Sequence, residues 1–300
     1  MRLNWNDVSI GADLGVLLIS GTTASGKSSL ALTLAQDFGA VIVSADAMTV
    51  YRGLDIGTAK PTIEERSMVR HYGIDEKQID EDFDVSCFVD MVDRAVADHE
   101  RVIIAGGTTF WLSALVRPLA SLPAASTAVR ASLNALEEPH FLLSQIDPDT
   151  ASRLHPNDRV RVIRALEVYE ITGKTQTELH AQEPKRQPID AEIVFLDREN
   201  SQERIEQRIQ SMLESGYVAE VQGILDAGWA PDLKPLKSFA YRHLVEHCNV
   251  GLSLDEAVRR TGRDTRHYAK KQRTWARNLG WKPVGQPEAL LAAKRAFDQG

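Results

Sequence analysis

The residues Gly21-Thr22-Thr23-Ala24-Ser25-Gly26-Lys27-Ser28 satisfy the pattern G-x-x-x-x-G-K-[ST] at every fixed position. A loop of this kind aims successive backbone N–H groups and a helix N-terminus at a phosphate, and its lysine adds a mobile positive charge. Gly21 through Ser28 are therefore the expected phosphate-binding residues, with the Ser28 hydroxyl available to a Mg²⁺ ion shared with the phosphates. A second group able to do chemistry is Asp46, which closes the apolar run Val41-Ile42-Val43-Ser44-Ala45. By position alone Asp46 reads equally well as a turn residue or as a carboxylate beside the phosphate site. Phosphate-loop NTPases usually hold Mg²⁺ with an Asp at the end of an apolar strand. Here the best such strand, Arg101-Val102-Ile103-Ile104-Ala105, runs into Gly106-Gly107-Thr108 with no acid, and no N-K-x-D guanine signature occurs.

The elements that must position these groups follow from the pattern. Leu14 to Ile19 reads as a short buried strand and Ser29 to Phe38 as a helix, which frames the loop as its chemistry requires. Val41–Asp46 reads as the next strand, so in a parallel sheet its carboxyl end shares a rim with the loop. A long polar connection from Tyr51 to Asp84 precedes a helix over Val85–Glu100, the strand ending at Ala105 and a helix from near Thr109. Ala191–Asp197 reads as a further strand, followed by helices almost to the end. The alternation predicts an α/β fold, a P-loop NTPase-like parallel sheet covered by helices. Prolines at 118, 123, 184 and 188 bracket a segment rich in Ala, Leu, Arg and Glu, read as a mostly helical insertion, although Pro139–Ile146 could return as a core strand. The expected organisation is an extension over 1–13, a core over 14–117 and 189–285, the insertion over 118–188 and a tail over 286–300.

Beyond the loop, the run Ser44-Ala45-Asp46-Ala47-Met48-Thr49-Val50-Tyr51-Arg52-Gly53-Leu54-Asp55-Ile56-Gly57-Thr58-Ala59-Lys60-Pro61 resembles the second signature of the tRNA dimethylallyltransferases. Gly106-Gly107-Thr108, the block from His155 to Val168, Ala240-Tyr241-Arg242 and the stretch Tyr268 to Trp275 resemble four more, in order, from about Leu17 to Arg277. The chain departs from the family pattern in details: Thr22 stands where Pro is frequent, Ala47 where Ser is, Ala240 where Gly is, Lys271 where Arg is and Ala276 where Phe is. None of these removes a charged group. The resemblance implies transfer of a dimethylallyl group from dimethylallyl diphosphate to N6 of the adenine beside the anticodon (position 37) of tRNA. It implies Asp46 as the base with Thr108 beside it, and Arg242 on the diphosphate together with Gly21–Ser28. It also implies tRNA contacts from Asp46, Ala47, Met48, Thr49 and Thr108, from Arg130 and Val160-Arg161-Val162-Ile163-Arg164, from Lys237-Ser238-Phe239-Ala240-Tyr241-Arg242, and from Lys270-Lys271-Gln272-Arg273-Thr274-Trp275 with Arg277.

The 300 residues carry a net charge of −7, which by itself speaks against a nucleic-acid partner. Distribution reverses that inference: Arg259, Arg263, Arg266, Lys270, Arg273 and Arg277 recur at helical spacing, with Tyr268 and Trp275 beside them. The stripe fits either a solvated helix face or a contact to a phosphate backbone, and the resemblance favours the second. Composition is 43% hydrophobic and 26% charged, ordinary for a globular chain, and Cys87 and Cys248 stand far apart, outside any metal-ligand spacing. No segment reaches transmembrane length and no signal-peptide pattern opens the sequence, so a monomeric cytoplasmic protein with no membrane partner is expected. Two rival functions remain: an isopentenyltransferase acting on free adenine nucleotides, and a small-molecule kinase using ATP.

Overall fold

A computed structural model describes residues 15–182, 186–198 and 201–297. They divide into two compact units, one drawn from the chain before residue 117 and after residue 188, the other being Arg117–Pro188. The predicted extension over 1–13 lies outside the described residues.

The larger unit opens with β1 (Gly15–Gly21), α1 (Lys27–Phe38), β2 (Val41–Ser44), α2 (Ile63–Met68), β3 (His71–Tyr72), α3 (Val85–Asp98), β4 (Arg101–Gly106) and α4 (Thr109–Val116). The smaller unit consists of α5 (Thr127–Asn134), α6 (Pro139–Ile146), α7 (Pro148–Arg153), α8 (Arg159–Thr172) and α9 (Gln176–His180). The larger unit then resumes with β5 (Glu192–Leu196), α10 (Ser201–Glu214), α11 (Tyr217–Asp226), α12 (Arg242–Val250), α13 (Leu254–Leu279) and α14 (Gln286–Phe297). The sheet is parallel throughout, in the order β3-β2-β4-β1-β5.

Every residue of β1 is buried, the mark of a parallel strand covered on both faces. Its side chains alternate: Leu17 and Ile19 join Ile42, Ile103 and Ala105 on one face, while Val16 and Leu18 join Val43, Val102 and Ile104 on the other. The in-register pairing of Leu17 with Ile103 and Leu18 with Ile104 extends that division across the sheet. Gly106 is required where β4 ends, because a Cβ there would lie 2.1 Å from the Ala45 carbonyl oxygen. That close approach brings the ends of β2 and β4 together.

Two sequence expectations are corrected. Pro139–Ile146 is helix α6, with Pro139 in its first turn and Leu143 buried against Ala151, Val162 and Leu166. Proline at a helix start loses no hydrogen bond, and the apolar spacing suits a helix in a small helical core. The described part of the expected tail, 286–297, is helix α14, which buries Ala289, Ala292, Ala293 and Phe297 against the Leu17 and Ile19 face. Small alanines let this helix lie close on β1, an apolar face too modest to stand out in the sequence. The long polar connection contributes α2, closed by a Thr62–Glu65 capping box, and the edge strand β3.

Phe297 also meets Phe38 at 5.4 Å between ring centroids. Phe297→Ala should lower unfolding stability by about 3 kcal/mol, seen as a lower urea midpoint at unchanged slope.

Candidate active site

The phosphate loop joins β1 to α1 and is shaped by its own sequence. Gly26 takes φ 93° at the helix N-cap, a conformation open to glycine at no steric cost. Ala24 adopts φ 62°, and its carbonyl oxygen accepts from Arg204 Nε at 2.8 Å. Lys27 Nζ donates to the Thr22 carbonyl oxygen at 2.7 Å, folding back over the loop. Thr23 N donates to Gln272 Oε1 at 2.8 Å, and Gln272 Nε2 donates to the Gly107 carbonyl oxygen at 2.9 Å. Tyr268 Oη donates to the same carbonyl at 2.8 Å. One buried amide of α13 therefore ties the loop after β1 to the turn after β4.

Thr23, Lys27 and Ser28 line a cavity of about 400 Å³, together with Asp46, Ala47, Met48, Thr49, Gly107 and Thr108. Met48 N donates to Asp46 Oδ1 at 2.9 Å, and Ala47 N donates to Thr108 Oγ1 at 3.2 Å. Thr108 thus fixes the turn that carries Asp46 rather than bonding the carboxylate. One further wall comes from α10, α13 and the segment before α12, with Ile205, Arg208, Ile209, Met212, Thr261, Thr265, Tyr268, Ser238, Phe239 and Ala240, and another from the loop Gly57-Thr58-Ala59.

Charge is concentrated here. Burial, reinforced by the Arg208 guanidinium and opposed by Asp46, brings the Lys27 ammonium down to a pKa of about 7. Burial holds the Asp46 carboxyl above its ordinary range, against the pull of the Met48 N–H, Lys27 and Arg208. Arg208 is pushed down by burial and drawn back up by Asp46. Two positive charges and one negative share the pocket, and none of the three forms an ion pair with another.

The sequence-derived residues distribute unevenly. Asp46, Ala47, Met48, Thr49, Thr108, Ser238, Phe239 and Ala240 converge on the cavity with Thr23, Lys27 and Ser28. Arg242 does not: it is absent from the cavity lining, and its guanidinium is held by Asp264. Tyr241 is fully buried with its hydroxyl donating to Glu220 Oε1 at 2.6 Å, so it has no surface for RNA. Gln272 is likewise interior, 2% exposed. Arg273 makes a two-pronged bond to Asp197, which also accepts from Thr22 Oγ1 at 2.9 Å. Lys237, Lys270, Lys271, Thr274, Trp275 and Arg277 are exposed. In the smaller unit Val162 and Ile163 are core residues, because α8 turns that face inward, whereas Val160 and Arg161 are exposed. Arg130 and Arg164 both grip the buried Glu167 carboxylate.

Sequence reading missed Arg208 and Asp197. Arg208 did carry a signal, standing in the apolar stripe Ile205-Ile209-Met212 of an amphipathic helix where a charge is out of place. Asp197 carried none beyond its place at a strand end.

The fold and the cavity define an α/β protein with a parallel sheet, in which a glycine-rich loop, a lysine and a carboxylate line one cavity. Comparison with known proteins agrees. The family model described as IPP transferase matches residues 49–279. The chain is 41% identical over 286 residues to tRNA dimethylallyltransferase 2 of Geotalea daltonii, covering 91% of this chain and 88% of that one. It is 42% identical over 277 residues to the tRNA dimethylallyltransferase of Geobacter metallireducens, covering 87% and 89%. Among solved structures it resembles the tRNA isopentenylpyrophosphate transferase of Bacillus halodurans, with TM-score 0.65, 29% identity and coverage of 95% and 97%. A eukaryotic dimethylallyltransferase acting on tRNA matches with TM-score 0.76, 26% identity and coverage of 88% and 70%. This chain belongs to the IPP transferase family and is a transferase.

The Lys27 shift has a measurable consequence. A diphosphate placed over Lys27 raises its pKa, so the bound lysine keeps a proton that the free one has largely lost at about pH 8. Calorimetric titration with dimethylallyl diphosphate near that pH, in buffers of different ionisation enthalpy, should show proton uptake that Lys27→Met abolishes.

Proposed function

We propose that this chain transfers the dimethylallyl group of dimethylallyl diphosphate to N6 of the adenine beside the anticodon, position 37, of tRNA. The observation that carries this reading is a single cavity lined by the phosphate loop with Lys27, by Arg208 and by Asp46. The bond from N6 to carbon 1 forms as the carbon–oxygen bond breaks, and diphosphate leaves with the electron pair. Negative charge grows on that oxygen, and the loop amides, Lys27 and Arg208 are preorganised donors for it. The adenine amine is a weak nucleophile because its lone pair is delocalised into the ring, and it must shed a proton as it alkylates. Asp46 receives that proton, and its raised pKa makes it a stronger base than an exposed aspartate. Thr108, through its bond from Ala47 N, keeps the carboxylate's turn in place.

The residues present suit Mg²⁺ shared with the substrate. Ser28 offers a hard oxygen donor at the loop, and among the described residues no cluster of acids or histidines could hold a metal by itself. When bound, Mg²⁺ would neutralise diphosphate charge. RNA contact is assigned to the exposed cations Lys237, Lys270, Lys271 and Arg277 and to the exposed ring of Trp275, which stands edge-on to Phe110 at 5.9 Å. Arg161 on the smaller unit belongs to the same set. No described helix is long and apolar enough to cross a membrane. Action on tRNA in the cytoplasm, by a monomer, belongs to the same proposal.

Radiolabelled dimethylallyl diphosphate offered with tRNA, AMP or ATP tests the reading: label should pass to tRNA alone. Label on AMP would select a free-nucleotide transferase instead. Asp46→Ala should keep diphosphate binding and lose about 10²–10⁴ in turnover. Arg208→Ala should cost about 10² or more in kcat, and Arg242→Ala distinctly less, because only the former lines the cavity. Equal losses would restore Arg242 to the diphosphate.

A further inference from the structure

Two aromatic rings in the cavity wall have no part in the chemistry described so far. Phe239 and Tyr268 stack face to face, with centroids 4.6 Å apart and planes at 29°. Their supports differ. Tyr268 stands on the long helix α13, and its hydroxyl is tied to the Gly107 carbonyl oxygen at 2.8 Å, one residue from Thr108. Phe239 stands on the irregular segment 229–241 between α11 and α12, built of turns with no helix or strand of its own. Next to it the Ser238 hydroxyl is buried, lines the same cavity and makes no hydrogen bond among the described residues.

We propose that the Tyr268 ring is the platform on which the accepting adenine stacks, and that Phe239 holds that place until the base displaces it, with the Ser238 hydroxyl then free to bond the base edge. This rests on the tRNA-prenylating reading. Four arguments carry it. An extruded base loses its neighbours and needs a replacement π-surface. A ring lying over Tyr268 is held next to Thr108 and within the field of Asp46, which also acts on the Tyr268 phenol. At 4.6 Å the two side chains leave no room for a third ring between them, so one must move. Only Phe239 can do so without breaking a helix or the bond to Gly107. The Phe239–Tyr268 stack thus competes with adenine, and apparent affinity for the base is reduced by the closed fraction.

The test uses the full chain, an anticodon stem-loop RNA, and a second stem-loop carrying 2-aminopurine at the accepting position, whose fluorescence is quenched on stacking. Tyr268→Leu should raise the stem-loop KM roughly 5- to 150-fold, the span of a single base–aromatic stack, with little change in KM for dimethylallyl diphosphate. Tyr268→Phe, which keeps the ring, should restore stem-loop affinity and quenching. Phe239→Ala should lower the stem-loop KM by about 2- to 12-fold, the worth of one aromatic pair, and deepen the quenching. If Phe239→Ala instead raises the stem-loop KM as Tyr268→Leu does, Phe239 itself carries the base and the proposal fails. If Tyr268→Leu leaves KM and quenching unchanged, the platform is elsewhere. Should Tyr268→Leu not fold, the opposite signs expected for Phe239→Ala in KM and quenching still decide. Absence of label on the wild-type stem-loop would count against the prenyl-transfer reading, whereas quenching would still report on the stack.

Discussion

Lys27, Asp46 and Arg208 lie in one cavity, each charged in its working form and each only partly exposed to water. Moving charges out of water is costly, and the usual compensation is a close ion pair. Here the three act on one another through space, and no two come within 4.0 Å as an ion pair. With Lys27 protonated the two cations exceed the one carboxylate, so the cavity in that state favours an anion. The same arrangement leaves Asp46 with lone pairs for a proton, because its close partners are backbone N–H groups, those of Met48 and Thr49, and not a cation.

Holding that triad falls to tertiary bonds from α10 and α13. Gln272 spans the phosphate loop and the Gly107 turn, and Tyr268 adds a second bond to the same carbonyl. Asp197 links Thr22 to Arg273, so α13 grips the loop from a second direction. Arg204 fixes Ala24 in its left-handed conformation from α10, one turn from Arg208. In the proposed transfer such supporting bonds would keep the donors where charge develops and spare the reorganisation that water would require.

The opposite rim of the cavity is held by another carboxylate. Glu220 accepts from the backbone N–H groups of Asp55, Ile56 and Gly57 and from the Tyr241 hydroxyl. A Cβ on Gly57 would sit 2.5 Å from both Tyr217 and Tyr241, so the loop meets those rings only as glycine. Lys60, bonded to Asp55 and Asp75, closes the far side of the same loop. Several of the polar residues between Tyr51 and Asp84 therefore order the cavity wall rather than touch substrate.

Local chemistry fixed much of this from the sequence. The glycine-rich loop, the fully apolar strands and the carboxylate after β2 are short-range patterns, and each appears in the structure where spacing put it. The assignment of a fold class followed from strand–helix alternation for the same reason. Partner choice is different, since it depends on residues far apart in the chain. Arg242 turned to Asp264, and along α13 itself Arg273 turned to Asp197, Arg266 to Glu206, and Arg259 and Arg260 to Glu256, so much of the basic stripe of α13 is paired with acids, of which Glu256 lies on the same helix as its partners. Arg208 entered the cavity only because α10 packs its apolar stripe there. Helix α14 became core because small side chains admit close packing on β1, a gain visible only once the sheet exists. A sequence determines which groups can bind phosphate or take a proton; the packed fold decides which of them meet, because burial and charge pairing are settled by neighbours in space.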